Sequence, residues 1–116
     1  MKISYVTSIV KNMGETVKFY KDIMGFSIHS EYVLGDAGRI TLMQGPCETM
    51  FELIENPQFD AGFYSIGMDV ENLDETLKKM RAKGVHVLMD PVLTQVGKMS
   101  FIVDPNGVKM ALIEHF

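Results

Sequence analysis

The sequence predicts an α+β fold built from two tandem βαβββ modules. Three observations predict it. A segment recurs at a separation of about sixty residues, each copy opens on a helix-start signal, and stretches of period two surround each helical stretch. The chain of 116 residues is expected to be a single domain, with module one over about 1–56, a linker over about 56–62 and module two over about 63–116.

The first strand is expected over 3–10, where Ile3, Tyr5, Thr7 and Ile9 alternate with Ser4, Val6, Ser8 and Val10. A helix follows. VKNMGETVK at 10–18 matches VENLDETLK at 70–78 at an offset of 60, with five of nine positions identical. Asn12 and Asn72 stand at N-cap positions, and Glu15 and Glu75 follow three residues later, a capping-box pattern. Met13, Val17, Tyr20 and Met24 recur at helical spacing, as do Leu73, Leu77 and Met80. Gly25 and Gly84 suit the left-handed residue that ends a helix. They are 59 apart, as are Pro46 and Pro105, and LIE at 53–55 and 112–114, so the second helix has lost one residue. Strands are then expected over 26–34, 39–44 and 49–55. In module two they are expected over 63–70, 85–89, 98–103 and 108–115. The breaks are GDAG at 35–38, Gly45-Pro46 and Asp104-Pro105-Asn106-Gly107.

One helix covers only one face of a four-stranded sheet. The other face must meet a ligand, the other module or another chain. Alternation puts Met50, Glu52 and Ile54 of the 49–55 strand on one side, and Phe51 and Leu53 on the other. If Phe51 and Leu53 lie under the helix, Glu52 projects from the uncovered face.

The paired βαβββ order, the Phe19-Tyr20-x₄-Gly25-Phe26 segment and the Asp104-Pro105-Asn106-Gly107 turn resemble the vicinal oxygen chelate superfamily. That superfamily includes glyoxalase I, extradiol dioxygenases, fosfomycin-resistance transferases and bleomycin-resistance proteins. The resemblance implies a curved mixed sheet around a cleft, with the helices on the outer face. It also implies a metal centre drawn from the first and last strand of each module. The corresponding positions here are Tyr5, Ser65, Glu52 and Ala111.

Of these, only Glu52 is a usual ligand. A phenol with an ordinary pKa of about 10 and a neutral hydroxyl are poor donors, and alanine offers none. An open metal site needs roughly three protein ligands. The metal set is therefore expected to be absent, and no cofactor is expected, while the resemblance admits a divalent ion (Ni, Zn, Mn or Fe). The expected ligand-binding residues are Tyr5, Thr7, Met50, Glu52, Ser65 and Ala111, with Glu52 the best catalytic candidate. Glu52 is read either as a carboxylate that meets a ligand, or as a solvated strand carboxylate or a vestige of an ancestral metal site. His29, His86 and His115 share no paired spacing and read as strand or surface histidines. Cys47 lies in a turn with no histidine near it and reads as an incidental thiol. Most of the ten methionines, among them Met13, Met24, Met68, Met80 and Met110, read as core. Arg39 and Lys98 read as solvated charges at the starts of equivalent strands.

The net charge is −4 and the lysines are dispersed, so nucleic acid is not expected as a partner. Nor is a membrane, since no apolar run is long enough to span one. The N-terminus has no signal-peptide pattern and there is one cysteine, which points to the cytoplasm. The resemblance implies a homodimer, and the physical reason for one is that a half-covered sheet with free edges gains by pairing. The leading reading is a small-molecule binder similar to the metal-free antibiotic-binding branch. The alternatives are a glyoxalase-like lyase or isomerase with a rebuilt site, and a non-catalytic interaction module.

Overall fold

A computed structural model describes residues 1–116, the side chain of Ala37 excepted. The fold is α+β. The chain comprises two compact units, Tyr5–Tyr64 and Ser65–Phe116, the latter grouped with Met1–Ser4.

The first unit contains most of β1 (Lys2–Val10), α1 (Met13–Asp22), β2 (Ser27–Val33), β3 (Arg39–Gln44) and β4 (Met50–Glu55). Its strands lie in the order β2-β3-β4-β1. β1 and β4 run parallel, and the β2–β3 and β3–β4 pairs are antiparallel. Val10, Met13, Met43 and Leu53 form the core under α1, with Val17, Tyr20, Phe26 and Phe51 packed against them. The alternation read from the sequence holds, since Phe51 and Leu53 face the helix and Glu52 lies on the other side. Met24 departs from expectation. It lies past the end of α1 and is 50% exposed, because the chain turns at Gly25 with φ 73° before another helical turn can bury it.

The second unit contains β5 (Gly62–Asp69) from Ser65 onward, α2 (Leu73–Ala82), β6 (Val92–Leu93), β7 (Gly97–Val103) and β8 (Lys109–His115). The strand order is β5-β8-β7-β6, with β5 and β8 parallel. Val70, Leu73, Leu77, Ile102 and Leu112 form its core, with Met68, Met80 and Met110 beside them. Val6 pairs with Phe51 in the first unit and Ile66 with Met110 in the second, which are the offsets of 60 and 59 met in the sequence.

The strand expected over 85–89 is not formed. That stretch makes an isolated bridge, Val87 to Ile102, and two backbone hydrogen bonds to β7. The Met89 carbonyl accepts from Ser100 Oγ at 2.6 Å instead of from a strand, and Pro91 has no N–H to continue a ladder.

The helix starts follow the expected cap in part. Asn12 Oδ1 accepts from the Glu15 N–H and Asn72 Oδ1 from the Glu75 N–H, both at 3.0 Å. The further carboxylate at each start comes from the last strand. Glu55 Oε2 accepts from the Met13 N–H at 2.6 Å, and Glu114 Oε1 from the Leu73 N–H at 2.7 Å. Each carboxylate meets an orphan donor at the positive end of a helix dipole. Arg39 closes the first arrangement with Nη2 2.7 Å and Nε 3.1 Å from Glu55 Oε1. Lys98 instead pairs with Asp74 at 2.9 Å. Arg39 and Lys98 are therefore paired within the chain, not simply solvated.

Candidate functional site

β1 and β4 are neighbours in the first unit, and their parallel register sets Tyr5 opposite Met50 and Thr7 opposite Glu52. Side chains of paired residues project from the same face of a sheet. The third strand joins from the other side, with Gln44 opposite Met50, Leu42 opposite Glu52 and Ile40 opposite Ile54. The face away from α1 is therefore a patch with Glu52 at its middle. Leu42 and Gln44 were not singled out from the sequence. The signal was the alternation in RITLMQ at 39–44, which identifies these two once the antiparallel register is known.

Thr7 Oγ1 donates to Glu52 Oε1 at 2.7 Å. Thr7 is 1% exposed, so this oxygen is held at the floor of the patch. Burial pushes the Glu52 carboxyl above its ordinary value of 4.5, and the Thr7 hydrogen bond offsets part of that rise. Glu55, three residues along, goes the other way. The Met13 N–H, and after it Arg39, hold its carboxyl below 4.5.

A carboxyl raised by folding favours the fold most below 4.5, and that contribution is lost as pH rises through its folded value. A carboxyl lowered by folding contributes fully above 4.5 and is lost as pH falls through its folded value. Glu52→Gln is therefore expected to raise the melting temperature at pH 7, and Glu55→Gln to lower it. The Glu52→Gln variant converges on the parent below 4.5, and the Glu55→Gln variant does so only as pH falls through the lowered folded value of Glu55. Thermal melts between pH 3 and 8 check this, and curves that stay parallel throughout would contradict it.

In the second unit Ser65 is 2% exposed on β5, and Ala111 is 2% exposed on β8, opposite Gly67. Among the other candidates, Cys47 is exposed, with Sγ 3.6 Å from the Thr49 carbonyl oxygen. His29 and His86 are exposed. His29 Nδ1 lies 3.1 Å from Ser30 Oγ, and His115 Nδ1 lies 3.1 Å from Asp69 Oδ1.

The donor chemistry does not fit the metal centre that the resemblance implies. Ala111 has no donor atom, and Ser65 offers a buried neutral hydroxyl. Glu52 is the one usual donor among the four positions, and one carboxylate falls short of the roughly three protein ligands an open site needs. Among the described residues, no three or more His, Cys, Asp or Glu gather where an ion would be held.

A family model described as "Glyoxalase/Bleomycin resistance protein/Dioxygenase superfamily" matches residues 2–112. A protein of Arabidopsis thaliana named "Probable lactoylglutathione lyase, chloroplastic" is 30% identical over 97% of the chain. The chain spans only 35% of that relative's length. One of Synechocystis, "Probable lactoylglutathione lyase", is 28% identical over 90% of the chain and 88% of its own length. The solved structure of methylmalonyl-CoA epimerase from Mycobacterium tuberculosis superposes with a TM-score of 0.86. It is 20% identical, with 98% of this chain and 87% of that one covered, which is a likeness of fold.

Proposed function

We propose a function for a chain that belongs to the Glyoxalase/Bleomycin resistance protein/Dioxygenase superfamily: it binds a small organic molecule without the superfamily's usual metal centre. The binding face is that of β1, β4 and β3, with Glu52 as its polar centre and Tyr5, Thr7 and Met50 around it. Ser65 and Ala111 hold the matching positions of the second module and carry there a hydroxyl and a methyl group.

The observation that carries this reading is the Thr7–Glu52 pair. A half-buried carboxyl is kept among apolar neighbours, and a protein hydroxyl takes only one of its oxygens. Such a group costs stability and is retained at a profit only if it meets something else. A panel of cationic and aromatic natural products is expected to contain compounds that raise the melting temperature. Glu52→Gln is expected to weaken such compounds by at least about tenfold, the loss typical of a charge-assisted hydrogen bond. A panel in which nothing raises the melting temperature would sink the proposal.

The names of the two relatives favour a second reading, a glyoxalase-like lyase or isomerase with a rebuilt site. Elemental analysis and a hemithioacetal isomerisation assay with added Ni²⁺ or Zn²⁺ decide it. Substoichiometric metal together with no turnover removes it. The assembly proposed is a homodimer of chains each made of two duplicated modules, in a reducing, cytoplasmic setting that suits an exposed lone cysteine. Sedimentation at micromolar concentration tests the dimer.

A further inference from the structure

We infer that Gln44 is a specificity-determining residue of the Glu52 face. The matching ligand is an amine with an apolar body on one side and a second hydrogen-bonding group, such as a hydroxyl, on the other. This rests on the reading of Glu52 as the ligand-binding carboxyl.

On the face away from α1, strand pairing sets the residues of the first unit in rows across β2, β3 and β4. Glu52 lies in the middle row. On one side of it Ile40 and Ile54 stand opposite each other, and β2 adds Tyr32 opposite Ile40. All three are half-buried, so apolar surface remains there for a ligand to cover. On the other side Gln44 stands opposite Met50. The two ends of the face therefore differ, apolar at Ile40 and Ile54 and hydrogen-bonding at Gln44. Gln44 and Glu52 are diagonal neighbours on antiparallel strands, a relation that sets Cβ atoms about 7–8 Å apart. Side chains of this length converge across such a gap on one small molecule. Gln44 is exposed, and its side-chain amide makes no hydrogen bond to a described residue. An amide both donates and accepts, so it meets a hydroxyl in either sense. An amine held at Glu52, with its body over Ile40 and Ile54, carries its next polar group toward Gln44.

Phenethylamine and L-phenylalaninol test the inference, since both carry an amine and an aromatic arm and only the second adds a hydroxymethyl group. Isotope-labelled protein is titrated with each, and the backbone amides of β3 and β4 and the methyl groups of Ile40, Ile54 and Met50 are followed. Phenylalaninol is expected to bind at least about threefold more tightly, the net effect of one hydrogen bond. Gln44→Leu, close in size and without the amide, is expected to bring the ratio to about one. Glu52→Gln is expected to weaken both amines together. The aromatic ring is expected to shift the Ile40 and Ile54 methyl groups more than that of Met50. A smaller parent ratio, a ratio left in place by Gln44→Leu, or shifts strongest at Met50 overturns the inference while the reading of Glu52 stands. No shift with either amine, or binding undiminished in Glu52→Gln, overturns both. Gln44 is exposed at the end of β3, so its replacement leaves the packed face alone, and the parent ratio needs no variant to fold.

Discussion

Gly38→Ala is expected to cost about 4 kcal/mol or more, lowering the melting temperature by at least roughly 12 °C or preventing folding. Two independent effects add at this position. The backbone sits at φ 100°, where an L side chain is strained. A Cβ there would also lie far inside van der Waals contact of the Glu55 carbonyl oxygen. The obstacle is backbone, so no rotamer change relieves it. Moving β4 away would pull Glu55 from the Met13 N–H and from Arg39, and would open the Arg39–Glu55 end of the β3–β4 ladder. The strand and the helix start would be lost together. Gly97 has the same relation to the Glu114 carbonyl oxygen, and Glu114 caps α2. Gly35→Ala is the control. Gly35 also has positive φ, but a Cβ there would meet nothing within 4 Å, so only the backbone strain is paid. A Gly38→Ala melt no lower than that of Gly35→Ala would refute the account.

That glycine shows where sequence reading ran out. GDAG at 35–38 was legible as a turn, and the 59-residue offset relates Gly38 to Gly97 and Glu55 to Glu114. Nothing local says that Gly38 touches the carbonyl of a residue seventeen positions later, because the close approach is made only when β3 pairs with β4. Glu52 was similar. Alternation within six residues gave its face, and Leu53 confirms it by being fully buried on the other. The bond to Thr7 spans 45 residues and depends on the β1–β4 register, which no pattern within either strand specifies. Leu42 and Gln44 were missed for the same reason. The failed strand at 85–89 had the right residue types, but a neighbouring serine and a following proline took its ladder partners. Local chemistry was readable throughout. The long-range pairings that turn it into a site were not.

Leu53→Ala is expected to cost about 2–5 kcal/mol, the range for a buried leucine whose surroundings relax only in part. Leu53 has no exposed surface and sits with Val10, Met13 and Met43, while Tyr20 and Phe51 pack against that cluster with ring centroids 5.0 Å apart and planes tilted by 43°. Aromatic rings held on both sides by the sheet and α1 collapse poorly into a void, which favours the upper part of that range. The contrast with its neighbour is the sharper test. Glu52 and Leu53 are adjacent in sequence and point to opposite faces of one strand. Glu52→Gln should raise stability at pH 7 and weaken ligand binding by at least about tenfold. Leu53→Ala should remove stability and, at temperatures where the chain stays folded, leave the affinity of the β1–β4 face for a compound from the natural-product panel unchanged. If both substitutions moved stability and affinity in the same direction, the separation of a packed face under α1 from a binding face carrying Glu52 would be wrong.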